Sequence, residues 1–234
     1  MNKFESLLEY KKSLKDWHYD PMIPSNDCQY VGTIQDFDFS TIKPKLENKE
    51  PEPGVTLYPE DFVNGKSIPD QLSPDSVGAG KLDHVRHGYT KHNTCYTQWI
   101  DNRDTLPDEF IKIRSLCNFK YATIACFRQD PGHTNPWHFD TYQGTVKKGN
   151  LTGDDTKKVK RYLLFLEDWH WGHILQVGNN MLSNWKAGDI YTWDYGMYHL
   201  SSNAGIVPKW TCQITGYPTE ESLHLSTNFK FKIK

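Results

Sequence analysis

The sequence is poor in cysteine and has no excess of charge of either sign. Its 234 residues include five Cys, and 27 Lys and Arg nearly balance 29 Asp and Glu, which gives a net charge of -2. The Cys form no Cys-x-x-Cys pair and follow no disulfide-framework spacing, so reduced thiols are expected. The balanced charge argues against a general nucleic-acid binder, whose surface is basic.

Long apolar runs are also absent. No stretch of about 18 apolar residues occurs, which excludes a membrane-spanning helix of the usual kind. The first 17 residues alternate charged and apolar side chains without the continuous apolar segment of a signal peptide. Together with the odd number of Cys, this pattern predicts a cytoplasmic protein.

Aromatic residues are abundant. They make up 14% of the chain, with eight Trp and thirteen Tyr. Flat amphipathic side chains in an otherwise polar sequence suit a mainly β protein with a ligand pocket. The length favours a single domain.

Apolar spacing and turn residues predict three regions within that domain. Residues 1–118 form an N-terminal helical and irregular layer, with helices at 2–16 and 107–117 and the most linker-like part at 43–53. Residues 119–217 form a β core, and 218–234 form a C-terminal tail.

The core region contains eight short apolar or alternating runs separated by turn residues. Regularly spaced short strands of this kind are typical of a sandwich or barrel. The longest break, residues 144–160, is polar and rich in Gly and predicts a mobile flap. The runs are 119–129, 136–142, 160–167, 173–178, 180–186, 189–194, 197–203 and 207–217.

One strand carries a histidine and an aspartate on the same face. His138 and Asp140 lie two residues apart, and alternate residues of a strand share a face. His199, in the seventh predicted strand, offers a third ligand, and Lys209 follows it by ten positions at the start of the eighth. Two imidazoles and one carboxylate are the ligand set of a facial metal site.

These residues resemble the signature of the iron(II)/2-oxoglutarate-dependent oxygenases. Three further segments are similar to the prolyl hydroxylase and aspartyl/asparaginyl β-hydroxylase branches of that superfamily, and the resemblance covers residues 119–217. The fold that it implies is a double-stranded β-helix, or jelly roll. The three segments are Asp130-Pro131-Gly132, Arg161 to Leu166 and Ala187 to Trp193.

The resemblance also implies cofactors and roles. His138, Asp140 and His199 are expected to hold Fe(II), with 2-oxoglutarate and O2 as cosubstrates and succinate and CO2 as products. Lys209 is the expected anchor of the distal carboxylate of 2-oxoglutarate, and Arg161 is its rival. No protein general base is required.

Other residues are candidates for the same pocket. Tyr121 and Thr123 share a parity in the first core strand, where their hydroxyls could donate to 2-oxoglutarate. Arg128, Trp137 and Trp193 are candidate substrate contacts.

The expected reaction is hydroxylation of an unactivated C–H bond, of a free amino acid or of a prolyl-type or Asp/Asn-type residue in a peptide. The alternatives are an oxygenase acting on a modified nucleobase and a non-catalytic jelly-roll protein that binds a metal or ligand. The sequence leaves the oligomeric state open.

Overall fold

The computed structural model describes residues 28–35, 38–53, 96–101, 105–223 and 229–232. The helix predicted at 2–16 lies outside these residues. Within them, no helix is long and apolar enough to cross a membrane.

The described residues form strands that belong to two sheets. In chain order the strands are β1 (Gln29–Gln35), β2 (Glu52–Pro53), β3 (Thr97–Ile100), β4 (Lys120–Gln129), β5 (Thr134–His138), β6 (Lys160–Phe165), β7 (His173–Val177), β8 (Asn180–Leu182), β9 (Asp189–Trp193), β10 (His199–Asn203), β11 (Lys209–Tyr217) and β12 (Phe229–Lys232).

The strand order is that of a double-stranded β-helix. The larger sheet has the order β12-β1-β9-β6-β11-β4-β3-β2, and the smaller has β5-β10-β7-β8. From β4 to β11 the chain winds between the two sheets, and all pairings among these strands are antiparallel. The mainly β fold is therefore confirmed, and each of the eight predicted core strands corresponds to one of β4–β11.

Strands from outside the core widen the larger sheet. β1 pairs with β9, and β12 pairs in parallel with β1. On the other side β3 joins β4 and β2 joins β3. The region predicted as a C-terminal tail thus contributes β12.

Within the described residues, five helices accompany the sheets. They are α1 (Phe39–Glu47), α2 (Asp108–Leu116), α3 (Gln143–Gly149), α4 (Asp154–Lys157) and α5 (Glu220–Leu223). α2 confirms the helix predicted at 107–117.

α1 contradicts the linker predicted at 43–53. Asp38 caps the helix by accepting a hydrogen bond of 2.9 Å from the backbone N–H of Ser40. Three apolar residues of α1 are buried in the core on the outer face of the larger sheet, and this burial stabilises the helix despite Pro44 within it. These residues are Phe39, Ile42 and Leu46.

α3 and α4 occupy much of the segment predicted as a mobile flap, so this segment is largely helical and not an irregular loop. Thr145 of α3 is buried, and its hydroxyl donates to the carbonyl of Thr215 on β11 at 3.4 Å. α3 therefore packs on the sheet, close in sequence to Asp140.

Candidate metal centre

The three predicted metal ligands lie together between the sheets. His138 ends β5, His199 begins β10, and the two are direct partners in the pairing of these strands. One ligand atom from each of His138, Asp140 and His199 lies within 4.8 Å of the others. The two imidazole centroids are 4.3 Å apart. Strand pairing thus joins ligands that are 61 positions apart in the chain.

The tautomer of His199 leaves a nitrogen lone pair directed at Asp140. Nδ1 lies 3.0 Å from the carbonyl oxygen of Met197, which can only accept, so Nδ1 carries the proton. The buried Nε2 lies 3.2 Å from Oδ2 of Asp140 and has no hydrogen-bond partner among the described residues. Two facing acceptors repel each other unless a cation lies between them, so the pair fits a metal ion.

Arg161 keeps the Asp140 carboxylate ionised. Its Nη1 donates to Oδ2 of Asp140, and its Nε donates to the hydroxyl of Thr215 at 3.0 Å. Burial alone would raise the pKa of Asp140. The positive charge of Arg161, aided by His199 and His138 when these imidazoles are protonated, outweighs that effect and holds the pKa well below its usual value. The carboxylate is therefore ready to bind a cation.

The donor set fits a divalent transition metal. Two imidazoles and one carboxylate, with the remaining positions open, form the facial triad of non-haem Fe(II) oxygenases. Nε2 of His138 lies 4.0 Å from Oδ1 of Asp140, and Nε2 of His199 lies near Oδ2. Each carboxylate oxygen therefore faces one imidazole.

Lys209 places a buried amine in the same space between the sheets. Its side chain is 2% exposed, and Nζ donates to the carbonyl of Ile174 and, at 2.8 Å, to the hydroxyl of Ser201. Nζ also lies 5.7 Å from the centroid of the Trp185 ring. Among the described residues, no carboxylate forms an ion pair with it.

The described residues place no negative charge beside Lys209. Burial lowers the pKa of Lys209 to about 7. The pKa of the neighbouring His173 is also lowered, by burial first and in smaller part by the charge of Lys209. Burial without a nearby negative charge is an environment that an incoming anion would stabilise.

Two of the predicted pocket residues lie on β4. Thr123 faces the interior, where its hydroxyl donates to the carbonyl of Thr215 at 3.4 Å. Tyr121 lies at the irregularity of the β4–β11 pairing, with φ of 55°, and is 41% exposed. Its ring packs on Gly149 of α3, where an added Cβ would approach it to 2.6 Å. Tyr121 lies near the opposite end of β4 from Gln129, the strand partner of Lys209, so the structure does not bring Tyr121 to Lys209.

The three candidate substrate residues have different positions. Trp193 is 2% exposed, with its ring centroid 4.9 Å from that of His199, and its buried Nε1 has no hydrogen-bond partner among the described residues. Trp137 is 39% exposed. It precedes His138 in β5, so its side chain points to the opposite face of the strand from this candidate metal ligand.

Arg128 lies on the opposite face of the larger sheet. Its guanidinium lies 5.8 Å and 5.6 Å from the ring centroids of Trp99 and Trp210, and it pairs with Asp130. The structure does not bring Arg128 to the space that holds the candidate ligands.

Sequence reasoning missed Ser201 and Gln129. Ser201 shares the face of His199 because it lies two residues further along β10. Gln129 lies directly opposite Lys209 in the pairing of β4 with β11. The alternation of β10 could have identified Ser201, whereas Gln129 requires the strand register.

No protein-family model and no curated protein matches this sequence. The structure is similar to a Thermotoga maritima protein described as a predicted oxalate decarboxylase, with 14% identity, a TM-score of 0.33 and coverage of 53% of this chain and 81% of that one. A conserved Klebsiella pneumoniae protein with a double-stranded β-helix domain shows 15% identity, a TM-score of 0.30 and coverage of 42% and 70%. A mutant Bacillus subtilis oxalate decarboxylase shows 14% identity, a TM-score of 0.32 and coverage of 53% and 26%. Such low scores carry no inference about activity, and the fold assignment rests on the strand order.

Proposed function

We propose that this protein is an Fe(II)/2-oxoglutarate-dependent dioxygenase that hydroxylates an unactivated C–H bond of an amino acid or peptidyl residue, with release of succinate and CO2. The observation that carries the proposal is a buried Lys209 in the same inter-sheet space as His138, Asp140 and His199, with no carboxylate partner in the part of the chain that the structure describes. Those three residues would hold the metal. When bound, the metal supplies the activation of O2 that is coupled to oxidation of the cosubstrate.

The spacing along β10 suits a five-carbon dicarboxylate. His199 and Ser201, the partner of Lys209, share a face and are two residues apart, which is about 7 Å along a strand. A ligand that chelates a metal at His199 through its 2-oxo acid end can therefore direct its distal carboxylate to Lys209.

Lys209 is suited to receive that carboxylate. As a neutral amine it has two N–H groups, which match its two acceptors, Ser201 and Ile174. Protonation adds a third donor for the incoming anion. The Lys209–carboxylate pair is then buried and hydrogen-bonded, which is the arrangement in which an ion pair is strong.

Proton uptake tests the pairing of Lys209 with 2-oxoglutarate. Because burial holds the pKa of Lys209 at about 7, the side chain is mainly neutral at pH 8. A bound dicarboxylate favours the charged form and raises this pKa, so binding at pH 8 should take up close to one proton. Calorimetric titration of the anaerobic, metal-loaded protein in two buffers of different ionisation enthalpy measures this uptake. No binding of 2-oxoglutarate at all would contradict the proposed function.

Arg161 is better suited to orient Asp140 than to anchor the cosubstrate. Its guanidinium already donates to Asp140 and Thr215, and it lies 4.8 Å from the centroid of the Tyr142 ring. A hydrogen-bonded carboxylate keeps one geometry and is a better metal ligand than a mobile one.

Replacing Arg161 with Met should therefore weaken metal binding. We expect the affinity for Fe(II) to fall about 10-fold or more, the usual effect of losing an outer-shell partner of a ligand. Anaerobic metal titration measures it, with Lys160→Met as the matched control because that neighbouring side chain pairs with Asp194 instead. Equal affinities in the two variants would contradict this role for Arg161.

Trp193 is proposed to donate a hydrogen bond to the bound ligand. Its unpaired, buried Nε1–H carries a cost of about 1–3 kcal/mol in the ligand-free protein. Trp193→Phe should therefore raise the melting temperature or leave it unchanged, while it weakens ligand binding several-fold. Thermal unfolding with and without metal and 2-oxoglutarate compares the two effects. A variant that is less stable but binds as tightly as the wild type would contradict the proposal.

The surface lysines favour an amino-acid or peptide substrate over a nucleotide. Lys157 and Lys158 pair with Asp154 and Asp155, at 3.2 Å and 2.8 Å. Lys148 donates to a backbone carbonyl of β4. These three side chains are paired or engaged, so they offer less free positive charge for a track of phosphates.

A further inference from the structure

Gln129 and Ser201 form two reciprocal hydrogen bonds between the sheets. The Ser201 hydroxyl donates to Oε1 of Gln129 at 2.6 Å, and Nε2 of Gln129 donates to the carbonyl of Ser201 at 2.9 Å. Gln129 is 5% exposed. Because both ends of the amide are used, its orientation is determined by these bonds.

This pairing gives the Ser201 hydroxyl a direction. A hydroxyl has one hydrogen, which Ser201 gives to Gln129, so its lone pairs remain for the Nζ of Lys209 at 2.8 Å. The carbonyl of Ile174 takes a second N–H of Lys209. The third N–H of the ammonium group has no acceptor among the described residues, and its direction follows from the other two.

We propose that Gln129 is a positioning residue that acts through Ser201 to direct the remaining N–H of Lys209, and that this selects the length of the 2-oxo dicarboxylate. The inference rests on the proposed function, since it concerns the cosubstrate of that site. Lysine is a flexible side chain with a rotatable ammonium group, so its direction depends on the acceptors around it. Without Gln129, the Ser201 hydroxyl can rotate and donate elsewhere. The ammonium group of Lys209 can then turn to bind the distal carboxylate of a longer or shorter ligand.

The test compares 2-oxoglutarate with 2-oxoadipate, which is one carbon longer. Gln129→Leu and Ser201→Ala should each raise the KM for 2-oxoglutarate about 10-fold, the effect of one charge-assisted hydrogen bond, while kcat at saturation changes less than about 2-fold. The KM for 2-oxoadipate should change much less, so the preference for 2-oxoglutarate falls. Ser201→Thr keeps the hydroxyl and should restore most of the affinity.

A neighbouring hydrogen bond provides the control. Thr134→Val removes the side-chain hydrogen bond of 2.7 Å between Thr134 and Ser202. This bond joins β5 to β10 within the smaller sheet and does not involve Lys209. This variant should keep the wild-type preference.

The outcomes separate the inference from the proposed function. A wild-type protein that neither binds nor turns over 2-oxoglutarate would overturn the proposed function, and the inference with it. If the wild type uses 2-oxoglutarate but Gln129→Leu keeps its KM and its preference, the inference alone is overturned. Equal losses for both 2-oxo acids would also overturn it, because a general loss of affinity is not selection by length.

Discussion

His199→Ala is expected to eliminate Fe(II)-dependent turnover. The substitution removes the nitrogen whose buried lone pair faces Asp140 and leaves one imidazole and one carboxylate for the metal. Because loss of even an outer-shell partner costs about 10–100-fold in metal affinity, loss of a ligand should cost more than about 100-fold. Metal titration and succinate release measure the effect.

The matched control for His199→Ala is another histidine of the smaller-sheet region. His170 is exposed and lies outside the ligand group, so His170→Ala should bind metal and turn over as the wild type does. A His199→Ala variant with undiminished Fe(II) affinity would contradict the ligand assignment.

Lys209→Met is expected to raise the KM for 2-oxoglutarate at least about 100-fold, since removing one partner of a buried ion pair costs about 3–5 kcal/mol. Metal affinity should stay within a few-fold of the wild type, because Lys209 contacts Ser201, Ile174 and Trp185 rather than the candidate ligands. Similar losses in metal binding and in cosubstrate affinity would contradict the anchor role.

The same variant should make the ligand-free protein more stable. The pKa of Lys209 is about 7 in the folded protein and close to 10.5 when unfolded, so the unfolded state binds more protons between these values. The free energy of unfolding of the wild type should therefore rise with pH from about 7 to 10.5, by up to a few kcal/mol. Lys209→Met should lose this rise and should be more stable than the wild type near pH 7. Chemical denaturation over this pH range measures both effects.

The fold could be predicted from local sequence because strand alternation is a local property. Each of β4–β11 is a short apolar or alternating run bounded by turn residues. The strand predicted at 136–142 was too long at its end, because β5 ends at His138, and Asp140 lies in the segment that follows it. The same alternation could have shown that Arg128 does not face the site, because Arg128 and Thr123 lie an odd number of positions apart on β4 and point to opposite faces of the sheet. A bulge is harder to predict, and the one at Tyr121 displaces that side chain from the expected face.

Features that depend on distant contacts could not be predicted. α1 contains Pro44, and its stability comes from packing on a sheet whose strands lie much later in the chain. α3 lies in a polar segment between Gly144 and Gly149, and it is held by the buried Thr145. Gln129 meets Ser201 across 72 positions, a pairing that only the register of the two sheets determines.

Succinate release shows directly whether this protein is a 2-oxoglutarate-dependent dioxygenase. The purified protein is incubated with Fe(II), 2-oxoglutarate and O2, with and without candidate amino acids and peptides, and succinate is quantified beside His199→Ala and Lys209→Met. We predict succinate from the wild type, more of it with the correct substrate, none from His199→Ala, and recovery in Lys209→Met only at high 2-oxoglutarate. Succinate that is absent from the wild type under every condition, or equal in the wild type and His199→Ala, would contradict the account.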